Sequence, residues 1–323
     1  MIVTKDISKF LQYLPAIALP QYLTALNAVS DYGYFVSERY VLPFIIRKRL
    51  IFQWIEFITG VLNCKNTEDE RVFLNEMVKV IKSNHVDFLT CRNTPLFMAY
   101  PLGALYCKFG TYRIDLEKPE QELFANLHSK HRNVIRKAEK DGINISNSIE
   151  NFSVCISLIQ ETFRRQGKIY PSVDYFERLK ALGENVEFWL AADNGEVQGS
   201  AVFLWSKGHS CYYMHGGSSN HPHTGAMNYL QWQAILSMKK RGVHYFDFVG
   251  ARIDPPKDSK LEGIQRFKER FGSTLEEGYL FKYVINKFKY NLYINLLSLM
   301  YVIKGEQYKG DIIDQEIKRG SES

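Results

Sequence analysis

Residues 245–272, YFDFVGARIDPPKDSKLEGIQRFKERFG, decide how the chain is read. They open on an apolar strand pattern that ends at Asp247. A turn at Gly250 follows, then a polar loop stiffened by Asp254-Pro255-Pro256. A short helix comes next, with Arg266, Lys268 and Arg270 beside Phe267 and Phe271. A carboxylate at a strand end, a stiff loop and a cation-rich helix predict a cleft here.

Working outward, alternating apolar positions predict strands over 186–192, 197–205 and 209–215, with turns at Asn194-Gly195 and Lys207-Gly208. A helix over 224–241 puts Met227, Leu230, Ala234 and Met238 on one stripe, and Gly242 ends it. The strand 243–249 completes the order β-β-β-α-β. The first half repeats this rhythm. Strands are expected over 32–38, 40–47 and 50–58, a helix over 67–83 carrying Phe73, Met77, Val80 and Ile81 on one side, and a strand over 86–91. The units share pattern, with little residue identity.

The opening stretch resembles the FemAB family, the aminoacyl-tRNA-dependent transferases that add amino acids to peptidoglycan precursors. That family shows a YDFGG strand end followed by GI..FK..FG. Here Asp247-Phe248-Val249-Gly250 stands at the strand end, with Val249 in place of the usual glycine. Gly263-Ile264, Phe267-Lys268 and Phe271-Gly272 match in order and spacing. Residues 127–145, LHSKHRNVIRKAEKDGINI, are similar to the family's L..K.R..I.KAEK.G helix, and Thr162 and Arg165 to its T..R element. The resemblance spans roughly residues 10 to 285. The chain lacks the coiled-coil arm of the staphylococcal members and is nearer in size to the compact FemX-type enzymes. The β-β-β-α-β order is like the core of the GNAT acyltransferases, and FemAB proteins carry two in tandem. The implied fold is α/β (α+β): an N-terminal GNAT-like subdomain over 1–145, a C-terminal one over 146–290 that carries the opening stretch, and an amphipathic helix with a polar, mobile tail over 291–323.

The resemblance implies acyl transfer to an amine. That reaction needs a neutral amine, a polarised carbonyl and a group to offset the charge on the leaving group. Lys268 matches the family's FK lysine, implied to contact the tRNA 3′ end or its phosphate. By composition alone it is a surface lysine on a charged helix. Asp247 reads either as a structural partner for an arginine or backbone N–H, or as acceptor for the incoming amine's proton. Phe267 is expected to anchor the short helix, and Arg252 in the loop to bind phosphate. Arg165 is implied to contact the diphosphate of the UDP-MurNAc-pentapeptide acceptor, for which a planar guanidinium fork is suited. The Tyr213 hydroxyl and the bare backbone of Gly216-Gly217 could hold a peptide or sugar. A helix over 123–140 has an apolar stripe of Leu123, Leu127, Val134 and Ala138. Arg132, Arg136 and Lys140 form a ridge suited to tRNA phosphates, or simply a solvated face.

Composition narrows the alternatives. With 323 residues, 46% hydrophobic and 14% aromatic, the chain has material for packed cores, which excludes a disordered class. A net charge of +6 fits anionic partners or ordinary solubility. The five cysteines are scattered, with no CxxC pair, and read as reduced buried thiols. The opening MIVTKDISKF predicts no signal peptide, and no apolar run approaches the roughly 20 residues of a membrane span. A cytoplasmic protein is expected, with peripheral contact at the inner membrane face as an option. The segment 278–304 has no acidic residue and could lie on an anionic membrane or dock as a final helix. His215, His221, His223 and Cys211 lack a metal-ligand spacing, so neither metal nor cofactor is expected. Two other functions stay open. One is an acetyl-CoA-dependent N-acyltransferase acting on an amino sugar or small amine. Against it, the loop 221–226 has one glycine and no Gln or Arg where the usual pyrophosphate loop carries them. The other is a non-catalytic scaffold for RNA or membrane.

Overall fold

The computed structural model describes residues 1–26, 31–82 and 85–321. Its strands are β1 (Ile2–Thr4), β2 (Asp31–Ser37), β3 (Tyr40–Arg49), β4 (Phe52–Phe57), β5 (Phe88–Cys91), β6 (Leu105–Asp115), β7 (Asn144–Asn147), β8 (Val186–Asp193), β9 (Glu196–Trp205), β10 (Ser210–Ser218), β11 (Tyr245–Asp247) and β12 (Thr274–Val284). Its α-helices are α1 (Pro20–Ala25), α2 (Thr67–Ile81), α3 (Glu120–Asn126), α4 (Ser129–Lys140), α5 (Phe152–Arg165), α6 (Val173–Lys180), α7 (Ala226–Lys240), α8 (Lys260–Glu269), α9 (Lys287–Ile303) and α10 (Ile312–Ser321).

Both expected units form. β2-β3-β4-α2-β5 and β8-β9-β10-α7-β11 run in the same order. In each, the central helix is the crossover that a parallel strand pair requires: β4 with β5, and β10 with β11. The Asn194-Gly195 turn takes positive φ at both residues, 47° and 86°, as a tight hairpin demands. Asn66 caps α2 by accepting from the Asp69 amide at 2.8 Å, and Glu68, Asp69 and Glu70 sit favourably in its first turn. At Gly217 a Cβ would lie 2.7 Å from the Ile159 backbone nitrogen, so only glycine lets β10 approach α5 this closely.

One long hairpin-like pair joins the units. β12 runs antiparallel to β6 from Thr274 opposite Arg113 to Lys282 opposite Leu105. Its far end pairs with β5, and β6 in turn pairs with β11. The result is one twelve-stranded sheet, ordered β1-β2-β3-β4-β5-β12-β6-β11-β10-β9-β8-β7. Apolar clusters lie on both units, and Cys91, Cys107, Cys155 and Cys211 are buried free thiols within the structure.

Four expectations are corrected. The single helix over 123–140 is two. Leu127 and His128 take extended ψ values of 138° and 144°, and the His128 amide donates to the Arg270 carbonyl at 2.9 Å instead of to its own helix. The strand 243–249 is only Tyr245–Asp247, because positive φ at Val249 and Gly250 turns the chain out of the sheet. The helix expected over 67–83 ends at Ile81, and Ser83 lies outside the described residues. The tail, expected to be mobile, folds back as α10. Ile313 is fully buried, and Lys282, itself buried, meets Asp311 and Asp314 at 2.7 Å each.

That last contact makes a test. Asp311→Asn with Asp314→Asn would leave a buried ammonium without a carboxylate, a cost of about 3 kcal/mol. We expect a lower melting temperature and loss of amide-exchange protection across α10. An unchanged melting temperature would show that the tail is not held by these pairs.

Candidate functional site

Asp247 ends β11 almost wholly buried, at 3% exposure. Its carboxylate accepts from the Thr111 hydroxyl at 2.5 Å, from Arg113 Nε and Nη2 at 3.2 and 3.1 Å, and from the Val249 amide at 2.8 Å. Arg113 also reaches Glu276 on β12 at 2.6 Å. With these donors in place, the carboxylate is committed to shaping the turn that follows. In that turn Val249 and Gly250 adopt φ of 46° and 41°, and both of their carbonyls accept from one group, the Lys268 ammonium.

Lys268 projects from α8, a helix started by Ser259, whose hydroxyl accepts from the Glu262 amide at 3.2 Å. Lys268 Nζ donates to the Val249 carbonyl and, at 2.8 Å, to that of Gly250. Burial pushes its pKa down to about 8, with Asp247 acting weakly the other way. An ammonium has three donors. Two are spent on carbonyls, and the third is available to a group in the cavity that Lys268 lines.

That cavity, about 590 Å³, is also lined by Tyr213, Phe267, Thr162, Gly216, Gly217, Ser218, Met227, Lys260, Gly263 and Ile264. Three of the residues singled out from sequence, Lys268, Tyr213 and Phe267, are therefore brought together. Phe267 packs edge-on against Phe271 and His131, at 5.2 and 5.4 Å between ring centres. The Tyr213 phenol is pushed above its ordinary range by burial.

A second cavity of about 540 Å³ contains Arg47, Arg92 and Arg178 with Tyr22, Tyr175 and His215. Val249 belongs to its wall, so the Val249–Gly250 turn stands between the two spaces. Arg47 is paired with Glu56 at 2.9 Å, and Arg178 Nε donates to the Ala25 carbonyl at 2.9 Å. Arg92 lies 3.8 Å from Glu56. Burial, with Arg92 close by, pushes His215 down to about 4, so its ring is neutral at physiological pH. It lies 3.1 Å from the Tyr175 hydroxyl. None of the three arginines was singled out from sequence. They come from unrelated segments, and no spacing links them.

The other sequence candidates sit elsewhere. Arg165 donates to Asn220 at 2.8 Å, to Thr162 at 3.1 Å and to the Ser218 carbonyl, and it pairs with Glu161. It thereby braces the end of β10 behind Thr162. Arg252 meets Glu316 at 2.9 Å and Gln315 at 2.7 Å, both on α10. Arg132 donates to the Ala125 carbonyl at 2.8 Å and to that of Leu127, closing the end of α3. Arg136 lies over the Phe124 ring at 5.1 Å, and Lys140 is exposed at the end of α4. Of the histidines weighed for metal, His223 pairs with Asp141 at 2.9 Å.

Comparison with known proteins agrees with this architecture. A family described as acetyltransferase (GNAT) domain matches residues 125–269. A lipid II:glycine glycyltransferase of Staphylococcus epidermidis is 26% identical over 179 residues, covering 55% of this chain and 38% of that protein. The protein of the same name from Staphylococcus aureus USA300 is 34% identical over 122 residues, covering 37% of this chain and 28% of its own. The chain thus spans well under half the length of these curated relatives. Among solved structures, the crystal structure of FemX aligns with a TM-score of 0.69 at 16% identity, covering 90% of this chain and 99% of FemX. Residues 125–269, from the end of α3 to the end of α8, are therefore similar to a GNAT acetyltransferase domain, the chain as a whole shares the fold of FemX, and its curated relatives are lipid II:glycine glycyltransferases.

Proposed function

We propose that the protein is an aminoacyltransferase that joins an aminoacyl group to an amine of a peptidoglycan precursor peptide, with aminoacyl-tRNA as donor. The observation that carries this reading is the Lys268 ammonium, held at the partition between two cavities with one donor to spare. A two-substrate transfer needs two binding spaces that meet where the amine reaches the ester carbonyl. The apolar cavity beside Phe267 and Met227 suits the aminoacyl end of the donor. The arginine-lined cavity suits a diphosphate-linked muropeptide, soluble or lipid-borne. The names of the staphylococcal relatives support an acceptor of the lipid II type.

In the reaction, the neutral acceptor amine attacks the ester carbonyl carbon. The C–N bond forms, the C–O bond to the tRNA ribose breaks, and the amine's proton ends on the departing hydroxyl. Lys268 donates its third N–H toward the oxygen on which charge develops. Asp247 acts as a positioning residue, since its lone pairs already hold Thr111, Arg113 and the turn. The ester is already activated, so the chemistry calls for no further cofactor. Lys260 at the cavity and the exposed Arg136 and Lys140 on α4 are the cations offered to the tRNA backbone.

An acetyl-CoA donor fits less well. The loop before α7 would have to cradle a pyrophosphate with free amides. Instead the His223 amide donates to Gln198 at 2.8 Å. Gly225, at φ 92°, abuts α4 so closely that a Cβ would lie 2.3 Å from the Val134 carbonyl oxygen.

Three outcomes are expected. With charged tRNA and a muropeptide acceptor, Lys268→Met should lower kcat by about 10²–10³, the effect of losing one preorganised donor. A rate within a few-fold of wild type would sink the assignment. The wild-type rate should fall as pH rises through about 8, where Lys268 loses its proton, and this limb should be missing from the variant's pH profile. Arg92→Gln should leave kcat nearly unchanged while raising KM for the acceptor by about tenfold or more, since a hydrogen bond to a charged group contributes about 1.5–3 kcal/mol. An unaltered KM would remove the second cavity from the acceptor site.

A further inference from the structure

Helix α9 crosses the β3–β4 hairpin on the first unit. One face of it is docked: the Tyr293 ring lies 5.3 Å from both Phe52 and Trp54. The rest is not covered, and none of its residues is fully buried. Phe288, Leu299, Val302 and Ile303 are 78%, 55%, 66% and 76% exposed. The hairpin tip adds Leu50 at 87% and Ile51 at 64%. Tip and helix form one surface. Arg49 Nη2 lies 3.3 Å from Met300 Sδ, Lys289 Nζ donates to the Ile51 carbonyl at 3.2 Å, and Leu50 and Ile303 line the same shallow apolar hollow of about 140 Å³. Single exposed apolar side chains need no explanation, but a contiguous group of this kind does.

Cations outnumber carboxylates around the patch, with the exposed Glu306 just past the helix as the exception. Lys48 and Arg49 come from the hairpin, Lys287 and Lys304 from the two ends of the helix, and no Asp or Glu occurs between 278 and 305. Lys289 is partly neutralised by Asp87 at 3.2 Å. Apolar side chains ringed by cations complement a lipid surface with anionic headgroups. Two copies of the chain placed face to face would instead bring like charges together. Among the described residues no helix is long and apolar enough to cross a membrane. We infer that α9 and the tip of the β3–β4 hairpin seat the protein on the surface of an anionic bilayer. Leu50, Val302 and Ile303 enter the headgroup boundary, and the flanking cations meet the lipid phosphates. Taken with the transfer reaction proposed above, on which this extension rests, the docking favours a lipid-borne acceptor over a soluble one.

The test is cosedimentation of the full chain with vesicles of phosphatidylglycerol and phosphatidylcholine, and with phosphatidylcholine alone. Binding is expected to the anionic vesicles and to weaken as salt is raised. Leu50→Glu with Ile303→Glu should weaken it by at least about tenfold while the melting temperature holds, because both side chains are exposed. No binding to anionic vesicles at low salt, or equal binding by the variant, overturns the inference. So does a lipid-free dimer that the variant splits, which would make the patch a self-association surface. No donor or acceptor is present in this assay, so its failure leaves the transfer reaction standing. Conversely, the variant should transfer to a water-soluble acceptor at the wild-type rate.

Discussion

The rest of the site depends on the carboxylate of Asp247. It is the point where β6, β11 and the turn after β11 are tied together: Thr111 and Arg113 reach it from β6, and the Val249 amide from the turn. Arg113 extends the tie to Glu276 on β12, the strand that joins the two units. A buried carboxylate is costly unless every lone pair is used. Meeting that cost fixes the turn in its left-handed conformation and delivers two carbonyls to Lys268. The structural and the chemical parts of the site are one hydrogen-bonded chain.

Two buried lysines show how the same side chain is set to different tasks. Lys282 lies between two carboxylates, which hold its proton well above the ordinary lysine range, and it fastens the tail. Among the described residues Lys268 has only carbonyl dipoles in direct contact, and burial lowers it to about 8. The first is a permanent cation doing structural work. The second is an ammonium near its own pKa, charged at neutral pH yet poorly compensated. That makes it receptive to an oxygen that gains negative charge.

Much of this was legible in the sequence, and what was not has identifiable causes. Strand alternation and turns such as Asn194-Gly195 are local, so both β-β-β-α-β units could be read. The strand end at Asp247 and the Phe267-Lys268 pair were legible as a motif, and the fold places Lys268, Phe267 and Tyr213 on one cavity. The break at Leu127-His128 was hidden because the apolar stripe continues across it, and its cause is a contact with Arg270, far along the chain. The docking of α10 was illegible for the same reason. Asp311, Asp314 and Glu316 look like solvated tail residues until Lys282 and Arg252 are placed opposite them. Arg252 illustrates the converse: an arginine in a glycine-proline loop reads as a phosphate ligand, yet its partners lie on α10.

One of the missed arginines, Arg92, carried a signal in the repeat itself. Each unit ends its parallel pair with a strand that emerges from beneath the central helix: β5 in the first, β11 in the second. In the fold these two strand ends face each other. Asn93, just past β5, has its carbonyl 2.9 Å from where a Cβ of Gly250 would be, so the backbones nearly touch. Arg92, Asn93 and Thr94 line the same cavity as Val249. If the residues after one strand end form the site, a tandem repeat directs attention to those after the other. Counted from the strand ends, Arg92 then stands where Phe248 stands in the second unit, and Asn93 where Val249 stands. One unit presents a cation to the shared wall and the other presents the carbonyls that hold Lys268. The two units thus contribute unlike groups to two unlike cavities, one apolar and one lined by arginines, on either side of the Val249–Gly250 turn.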